Sequence, residues 1–238
     1  MRDVLSAEWL KIRTTRSTRF VLLAVMAIAV LGMLLAYAWG QTWEGMSPES
    51  RTRLSDASIE DTTAPLLHFC LAVLGVLIIT GEYATGAIRT SLTVAPRRLS
   101  VLASKASVVG VIALVSGLLV TFSTYLVSHE VLGSRGFPGY AATFEEELPG
   151  LVQTSVLAMV VAIVGLGLGT VLRSTAGALF AIAALVFIVP VLVGFLPDPW
   201  DDRLGSLMLL NMPHPLVAIG YVVAALGAAA VAILHRDV

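Results

Sequence analysis

Few residues of this sequence have the types and spacing that catalysis requires. His129-Glu130 begins the HExxH pattern of zinc hydrolases, but the fifth position is Gly133 instead of a histidine. Neither Lys11 nor Lys105 follows a glycine, so the phosphate-binding loop GxxxxGKS/T is absent, and no GxSxG nucleophile elbow occurs. We therefore expect no enzyme activity, metal site or cofactor in this chain.

The most distinctive charged stretch runs from residue 81 to residue 105 and reads GEYATGAIRTSLTVAPRRLSVLASK. It carries one acid, Glu82. Its four bases are Arg89, Arg97, Arg98 and Lys105. Basic residues beside an apolar segment fix membrane orientation and bind anionic lipid headgroups, so these two roles already explain the bases.

The shape of this basic connector, residues 82–105, also indicates a docking element. Glu82 suits the first turn of a short helix, where the helix dipole favours an acid. Gly86 allows a turn or a close backbone approach, and Pro96 ends any helix begun at Glu82. The apolar patch of this helix consists of Tyr83, Ala87 and Ile88. Two roles stay open for Glu82: it anchors the connector, or it contacts a partner.

The composition indicates that these residues belong to a membrane protein. The chain of 238 residues is 57% hydrophobic and only 13% charged, and its mean hydropathy is +0.90. A soluble domain is about one-quarter charged. Long apolar runs with so little charge predict an all-α polytopic protein surrounded by membrane lipid, with no nucleic-acid partner.

Six apolar runs are long enough to cross a bilayer as helices. The predicted spans are residues 20–39, 64–81, 106–128, 151–172, 175–196 and 216–234. Polar loops separate most of them, and Arg173-Ser174 forms a very tight turn between the fourth and fifth spans. We expect a single transmembrane domain over residues 1–238.

Residues 1–19 precede the first span and predict an amphipathic helix that lies in the membrane interface. Leu5, Trp9 and Ile12 recur at helical spacing, with the bases away from that stripe. Trp9 would lie at the depth of the lipid headgroups. The alternative is a solvated basic tail that only sets membrane orientation.

The distribution of Lys and Arg predicts the orientation in the membrane. Six spans put both termini on one side, and eleven of the fifteen bases fall on that side. They are Arg2, Lys11, Arg13, Arg16, Arg19, Arg89, Arg97, Arg98, Lys105, Arg173 and Arg236. The positive-inside rule then places both termini and the basic connector in the cytoplasm.

Several features of the spans concern packing. Gly165 and Gly169 form a GxxxG face for close approach of another helix, either within the chain or in a second copy. His68 is the only clear ionisable residue in a span, and we expect it to be packed or interfacial rather than a proton relay. Pro190 should kink the fifth span or free a backbone carbonyl. The apolar residues 207–210 either dip into the outer leaflet or rest on the surface.

The N-terminal pattern AEWLKIRTTRSTRF and the basic connector resemble those of permease subunits of ABC-2 type ABC transporters, particularly the small actinobacterial ones. The topology of the whole chain fits as well. The most specific part is the connector, where the family pattern matches Glu82, Gly86, Arg89, Pro96, Arg97 and Lys105. The sequence departs from the family over residues 198–215, which are less apolar than a re-entrant hairpin.

The resemblance implies a particular assembly. Two permease copies, or two related permeases, would associate with two ATP-binding subunits that hold ATP and magnesium. Substrate would pass between the permease halves in a bacterial plasma membrane. The connector would contain the coupling helix that docks on the ATPase, through Glu82, Tyr83, Gly86, Ile88, Arg89, Pro96 and Arg97.

The expected function is therefore that of an exporter permease, which moves an amphipathic substrate and is driven by ATP hydrolysed in a separate subunit. A secondary transporter would need buried ionisable residues in the spans, which are almost absent. A membrane anchor or sensor for a soluble partner shares the docking connector and stays open. The sequence contains no recognisable set of catalytic residues that would support an intramembrane enzyme.

Overall fold

The computed structural model describes residues 9–12, 15–47, 49–51, 58–87, 98–210 and 215–235 of the chain. Within these ranges the regular elements are helices, and none is a strand. Six of the helices are long and apolar enough to cross a bilayer. The expectation of an all-α polytopic membrane protein with six spans is confirmed.

The six helices are numbered here in chain order. They are α1 (Arg16–Thr42), α2 (Ile59–Thr85), α3 (Arg98–Ser128), α4 (Phe144–Leu172), α5 (Thr175–Val193) and α6 (Pro215–His235). A π-helical turn, His129–Gly133, continues α3. Five helices enclose the corresponding predicted spans whole, whereas α5 ends at Val193 instead of residue 196.

Two helices begin well before their apolar stretch because polar capping residues set their ends. The Ser58 side chain accepts a hydrogen bond of 3.0 Å from the Asp61 N–H, and α2 begins at Ile59 instead of residue 64. The Glu146 carboxylate accepts a hydrogen bond of 2.8 Å from the Thr143 N–H, and α4 begins at Phe144 instead of residue 151. The loops before these helices are correspondingly shorter than predicted.

Helix α4 forms the centre of the bundle. It is the most buried of the six helices and packs against α2, α3 and α6. Helix α1 packs against α2 and α3, and α5 packs against α2 and α4. The main apolar core lies among α1 to α4 and α6, and includes the fully buried Leu71, Val109, Ala158 and Leu166.

Glycines bring α2 and α4 into backbone contact. A Cβ atom at Gly75 would collide with the carbonyl oxygen of Ala162, and one at Gly165 would collide with the carbonyl oxygen of Ala72. At Gly169 a Cβ atom would lie 2.6 Å from a side-chain atom of α2. The GxxxG face of α4 therefore lies against α2 of the same chain, and the lack of side chains permits this approach.

Helix α5 is irregular just before Pro190. Residues Ala184–Ile188 form a π-helical turn, and the Val189 N–H bonds to the carbonyl oxygen of Ala184, five residues back. Proline has no N–H to donate, and its ring needs room against the preceding turn. The widened turn supplies that room, so the predicted irregularity takes the form of a local π-helix.

The loop after α5 contains a short helix, Trp200–Gly205, followed by turns over residues 206–210. Leu209 is buried in the apolar cluster formed by α4 and α5, whereas Leu207 is exposed. The described part of this loop is thus anchored to the bundle by Leu209 and the partly buried Leu210, and by a hydrogen bond of 3.1 Å that the Tyr221 hydroxyl donates to the carbonyl oxygen of Leu207.

The entry segment is described at residues 9–12, which are helical. Thr15 is extended and α1 begins at Arg16, so residues 16–19 belong to the first membrane helix rather than to an interfacial helix. Trp9 is half exposed and Ile12 is buried. Leu5, the third predicted residue of the apolar stripe, lies outside the described residues.

His68 lies within the packed interior between α2 and α4. It is buried, and its Nε2 atom lies 3.0 Å from the carbonyl oxygen of Thr154 on α4. The prediction of a packed histidine is confirmed.

Candidate functional site

Four helix ends meet at the end of the bundle that carries the predicted basic connector. Side-chain contacts join the last turn of α2 to the beginning of α3 and, through Arg173, to the ends of α4 and α6. Residues 9–12 contribute a further contact through Lys11. The helices on both sides of the connector are thus joined to each other and to their neighbours by side-chain contacts.

The helices on both sides of the connector extend further into it than predicted. Glu82 lies in the last turn of α2, which continues to Thr85, and not in the first turn of a new helix. Lys105 lies within α3, which begins at Arg98. The predicted place of Glu82 is therefore wrong, because α2 continues through its polar end until Gly86 terminates it.

Glu82 is held by two lysines from different parts of the chain. The Nζ atom of Lys105 lies 2.6 Å from Glu82 Oε1, and the Nζ atom of Lys11 lies 3.3 Å from the same oxygen. The side chain of Lys105 is 1% exposed, that of Glu82 is 13% exposed and that of Lys11 is 47% exposed. We call Lys11, Glu82 and Lys105 the Glu82 cluster.

The electrostatics of the Glu82 cluster follow from its place at a helix end. The C-terminal end of α2 carries a partial negative charge, which disfavours a carboxylate there. The two ammonium groups offset that effect. Lys105 in turn is too deeply buried to be charged without a partner, and Glu82 supplies it. The pair therefore holds α2 and α3 together at this end of the bundle.

A second polar contact links α2 to the ends of α4 and α6. The guanidinium group of Arg173 lies 5.3 Å from the centre of the Tyr83 ring, and its Nη2 atom donates a hydrogen bond of 3.3 Å to the Ala232 carbonyl oxygen. Arg173 also ends α4 in a left-handed conformation, with φ at 50°. The predicted tight turn at Arg173-Ser174 is thus part of the site.

Gly86 ends α2 in the left-handed region, with φ at 72°. Its N–H donates a hydrogen bond of 3.3 Å to the carbonyl oxygen of Tyr83. Side chains other than glycine are strained in this conformation, so the residue type serves as a helix stop. The remaining predicted coupling residues lie outside the described part of the chain; they are Ile88, Arg89, Pro96 and Arg97.

A cavity of about 380 Å³ lies beside the Glu82 cluster. One wall is formed by Lys11, Ile12 and Thr18, and the other by Leu77, Gly81 and Glu82. The cavity thus lies between the entry segment and the end of α2. Lys11 bridges these two walls through its contact with Glu82.

The Glu82 cluster, Tyr83, Gly86 and Arg173 lie in a region that matches a known family. Residues 4–197 match the family model described as ABC-2 family transporter protein, which covers more than half of the 238-residue chain. The chain belongs to the ABC-2 transporter family. No curated protein matched the sequence. As an ABC-2 permease, the chain is a multi-pass membrane component of a transporter, and the resemblance noted in its sequence is confirmed.

Two features of this ABC-2 permease site were not predicted from the sequence. Lys105 was assigned to the lipid-facing basic connector, although it is the buried partner of Glu82. The contact between Tyr83 and Arg173 was also missed. A signal for the first existed, since Lys105 is the only charged residue between Leu99 and Ser128, and a lone cation in an apolar helix requires a partner.

Proposed function

We propose that this ABC-2 permease is the membrane subunit of an exporter that is driven by ATP hydrolysis in a separate ATP-binding subunit. ATP and magnesium would be held by that partner. The observation that carries the proposal is the Glu82 cluster, which lies within the region matched by the family model and braces both helices that flank the basic connector. A docking segment needs such a brace in order to transmit force.

The helix contacts provide a route for that force to the centre of the bundle. A push on residues 88–97 reaches the end of α2 and the beginning of α3 together, because Glu82 and Lys105 join these two helices. Helix α2 contacts the central α4 at Gly75 and Gly165 with no side chains between the backbones. Since packed helices shift as rigid bodies rather than deform, the motion would pass to the centre of the bundle.

The outer helices support the proposal of a second permease copy. Helices α5 and α6 are the least buried of the six. They expose large apolar side chains, including Phe180, Leu192 and Leu216. Such surfaces suit lipid or a neighbouring permease, and an amphipathic substrate would pass along the boundary between two copies. The assembly would lie in a bacterial plasma membrane, with both termini in the cytoplasm.

Co-purification tests the proposal. The tagged chain is expressed together with the neighbouring genes of its source, and the complex is analysed by mass spectrometry and by an ATPase assay. We expect recovery of an ATP-binding protein in stoichiometric amount together with ATPase activity. Recovery of the chain alone, with no ATPase activity, would instead favour a secondary transporter or a membrane anchor.

A paired variant makes the test specific to the Glu82 cluster. The double substitution Glu82→Gln with Lys105→Met removes both buried charges together, which costs little stability compared with removal of one partner. We expect this variant to remain folded and to lose coupling between ATP hydrolysis and transport. The control is Glu145→Gln, which changes an exposed acid outside the cluster. Unchanged coupling in the double variant would remove the proposed role of the Glu82 cluster.

A further inference from the structure

A polar cavity lies at the opposite end of α2 from the Glu82 cluster. Its volume is about 350 Å³, which is at the lower end of the range for small-molecule sites. Its wall is formed by the first turn of α2, the first turns of α4, the short helix Pro138–Tyr140 and Tyr125 of α3. We call it the Glu60 cavity, after the buried acid that lines it.

Glu60 is buried in this wall, with 7% of the residue exposed. Its Oε2 atom accepts a hydrogen bond of 2.7 Å from the hydroxyl group of Tyr140, and that hydroxyl accepts one of 2.9 Å from the Ile59 N–H. Burial raises the pKa of the Tyr140 hydroxyl above its usual range, so the hydroxyl keeps the proton that it donates. Tyr140 thus occupies Oε2 of Glu60, and Oε1 is the carboxyl oxygen left for another hydrogen-bond donor.

Two buried oxygen atoms of the cavity wall lack a hydrogen-bond partner among the described residues. They are Oε1 of Glu60 and the hydroxyl oxygen of Tyr125. Tyr125 is only 3% exposed. A buried polar atom without a partner is costly, so a ligand that donates hydrogen bonds to both groups would gain affinity from satisfying them.

The described charged residues that line the cavity are all acids. Asp61 and Glu147 join Glu60 in the lining, and none of the described lining residues is a Lys or an Arg. The cavity therefore favours a positively charged hydrogen-bond donor.

The arrangement of the acids favours an organic cation over a metal ion. A metal site needs at least three ligand atoms close together. Among the described residues, one such group has its ligand atoms within 4.8 Å of one another, and it lies outside this cavity; it consists of Asp198, Asp201 and Asp202. The acids of the Glu60 cavity thus lie too far apart to form such a set. Tyr125 and Tyr140 add aromatic rings, which attract ammonium groups.

We propose that the Glu60 cavity binds the protonated amino group of a small organic cation, with Glu60 Oε1 as the principal acceptor and Tyr125 beside it. This site does not depend on the proposed ATPase partner. If the chain is an exporter permease, the site adds amines to the classes of substrate or regulatory ligand that it recognises.

Binding of a matched pair of probes tests the proposal. Tyramine carries an amino group where tyrosol carries a hydroxyl group, and the two are otherwise the same. Only tyramine is therefore a cation at pH 7. The full chain is purified in lipid nanodiscs, and binding is measured by isothermal titration calorimetry. We expect saturable binding of tyramine and no saturable binding of tyrosol. Equal binding of the two probes, or none of tyramine, would overturn the proposal.

Variants locate the binding in the Glu60 cavity. Glu60→Gln removes a charge-assisted hydrogen bond and should weaken tyramine binding by about tenfold or more. Glu147→Gln changes a half-buried lining residue and should weaken it by a smaller factor, which keeps the test decisive if the first variant does not fold. The control, Glu145→Gln, changes an exposed acid outside the lining and should leave the affinity unchanged.

Titration with metal ions distinguishes a site for an organic cation from a site for a metal ion. Mg²⁺ and Ca²⁺ are titrated into the same nanodisc sample, and neither is expected to compete with tyramine beyond the weakening that ionic strength alone produces in a sodium chloride control. Competition by a divalent ion at micromolar concentration, lost in Glu60→Gln, would show a metal site and overturn the assignment to amines. Tyramine affinity unchanged in both Glu60→Gln and Glu147→Gln would overturn the location.

Discussion

Helix α2 carries a buried carboxyl group at each end, and the two groups differ in the partners that stabilise them. Glu60 lies in the first turn, where the helix dipole favours a negative charge, and its partner is the neutral hydroxyl group of Tyr140. Glu82 lies in the last turn, where the dipole opposes a negative charge, and its partners are two lysines. Position along one helix thus decides which partners a buried acid needs.

The difference has a functional consequence. At the Glu82 end the charge of the acid is offset within the chain, so the cluster acts as a brace between helices. At the Glu60 end the lining acids have no cation beside them among the lining residues. The first arrangement suits transmission of force from a docked partner, and the second suits binding of a cation.

The largest stability effect is expected at the Glu82 end, from Lys105→Met. Removal of this buried cation leaves Glu82 with only the half-exposed Lys11, and breaking a buried ion pair costs about 3–5 kcal/mol. The free energy of unfolding is measured by chemical denaturation in detergent.

The control for this prediction is Lys11→Met. This variant removes the exposed partner of Glu82 and should cost about 0–1 kcal/mol, since exposed ion pairs contribute little. Equal losses of stability in the two variants would contradict the distinction between a buried brace and a surface contact.

A smaller effect is expected at the other end of α2, from Tyr140→Phe. The substitution leaves the Ile59 N–H without its acceptor and Glu60 Oε2 without its donor, and a buried group left unpaired costs about 1–3 kcal/mol. The same denaturation experiment measures it. Tyr37→Phe, which changes an exposed tyrosine, serves as the control and should leave stability unchanged.

The smallest effect is expected where α2 stops. Gly86→Ala places a side chain in the left-handed region and should cost about 1 kcal/mol. Gly81→Ala, one turn earlier, is the matched control, because Gly81 is helical and a Cβ atom there meets nothing within 4 Å. That control should be neutral or stabilising, by up to about 1 kcal/mol. Stabilisation by both substitutions would show that Gly86 is not a required helix stop.

Much of the fold was predictable from the sequence, because a bilayer demands long apolar helices and the sequence contains six. The packed state of His68 and the irregularity near Pro190 followed from the chemistry of single residues. Helices α2 and α4 begin earlier than the predicted spans, since hydropathy locates the lipid-facing part of a helix while caps such as Ser58 decide where it begins.

The candidate site was only partly predictable. The sequence singles out Glu82, Tyr83 and Gly86 as coupling residues, and that role stays a prediction. Glu82 lies in the last turn of α2 rather than in the first turn of a new helix. Contacts between Glu82 and Lys105 join residues far apart in sequence, and no periodic pattern reveals them. The pairing of Glu60 with Tyr140 is hidden for the same reason, since it joins two separate segments.

The most direct test of the account asks which side of the membrane each end of α2 faces. The single cysteine is replaced by Cys70→Ser, and Asp61→Cys or Thr85→Cys is then introduced at the exposed positions of the first and last turns. Intact cells are treated with a membrane-impermeant maleimide. We expect labelling of the Asp61→Cys variant in intact cells and of the Thr85→Cys variant only after permeabilisation. The reverse pattern would put the Glu82 cluster outside the cell and contradict its proposed role in docking an ATP-binding subunit.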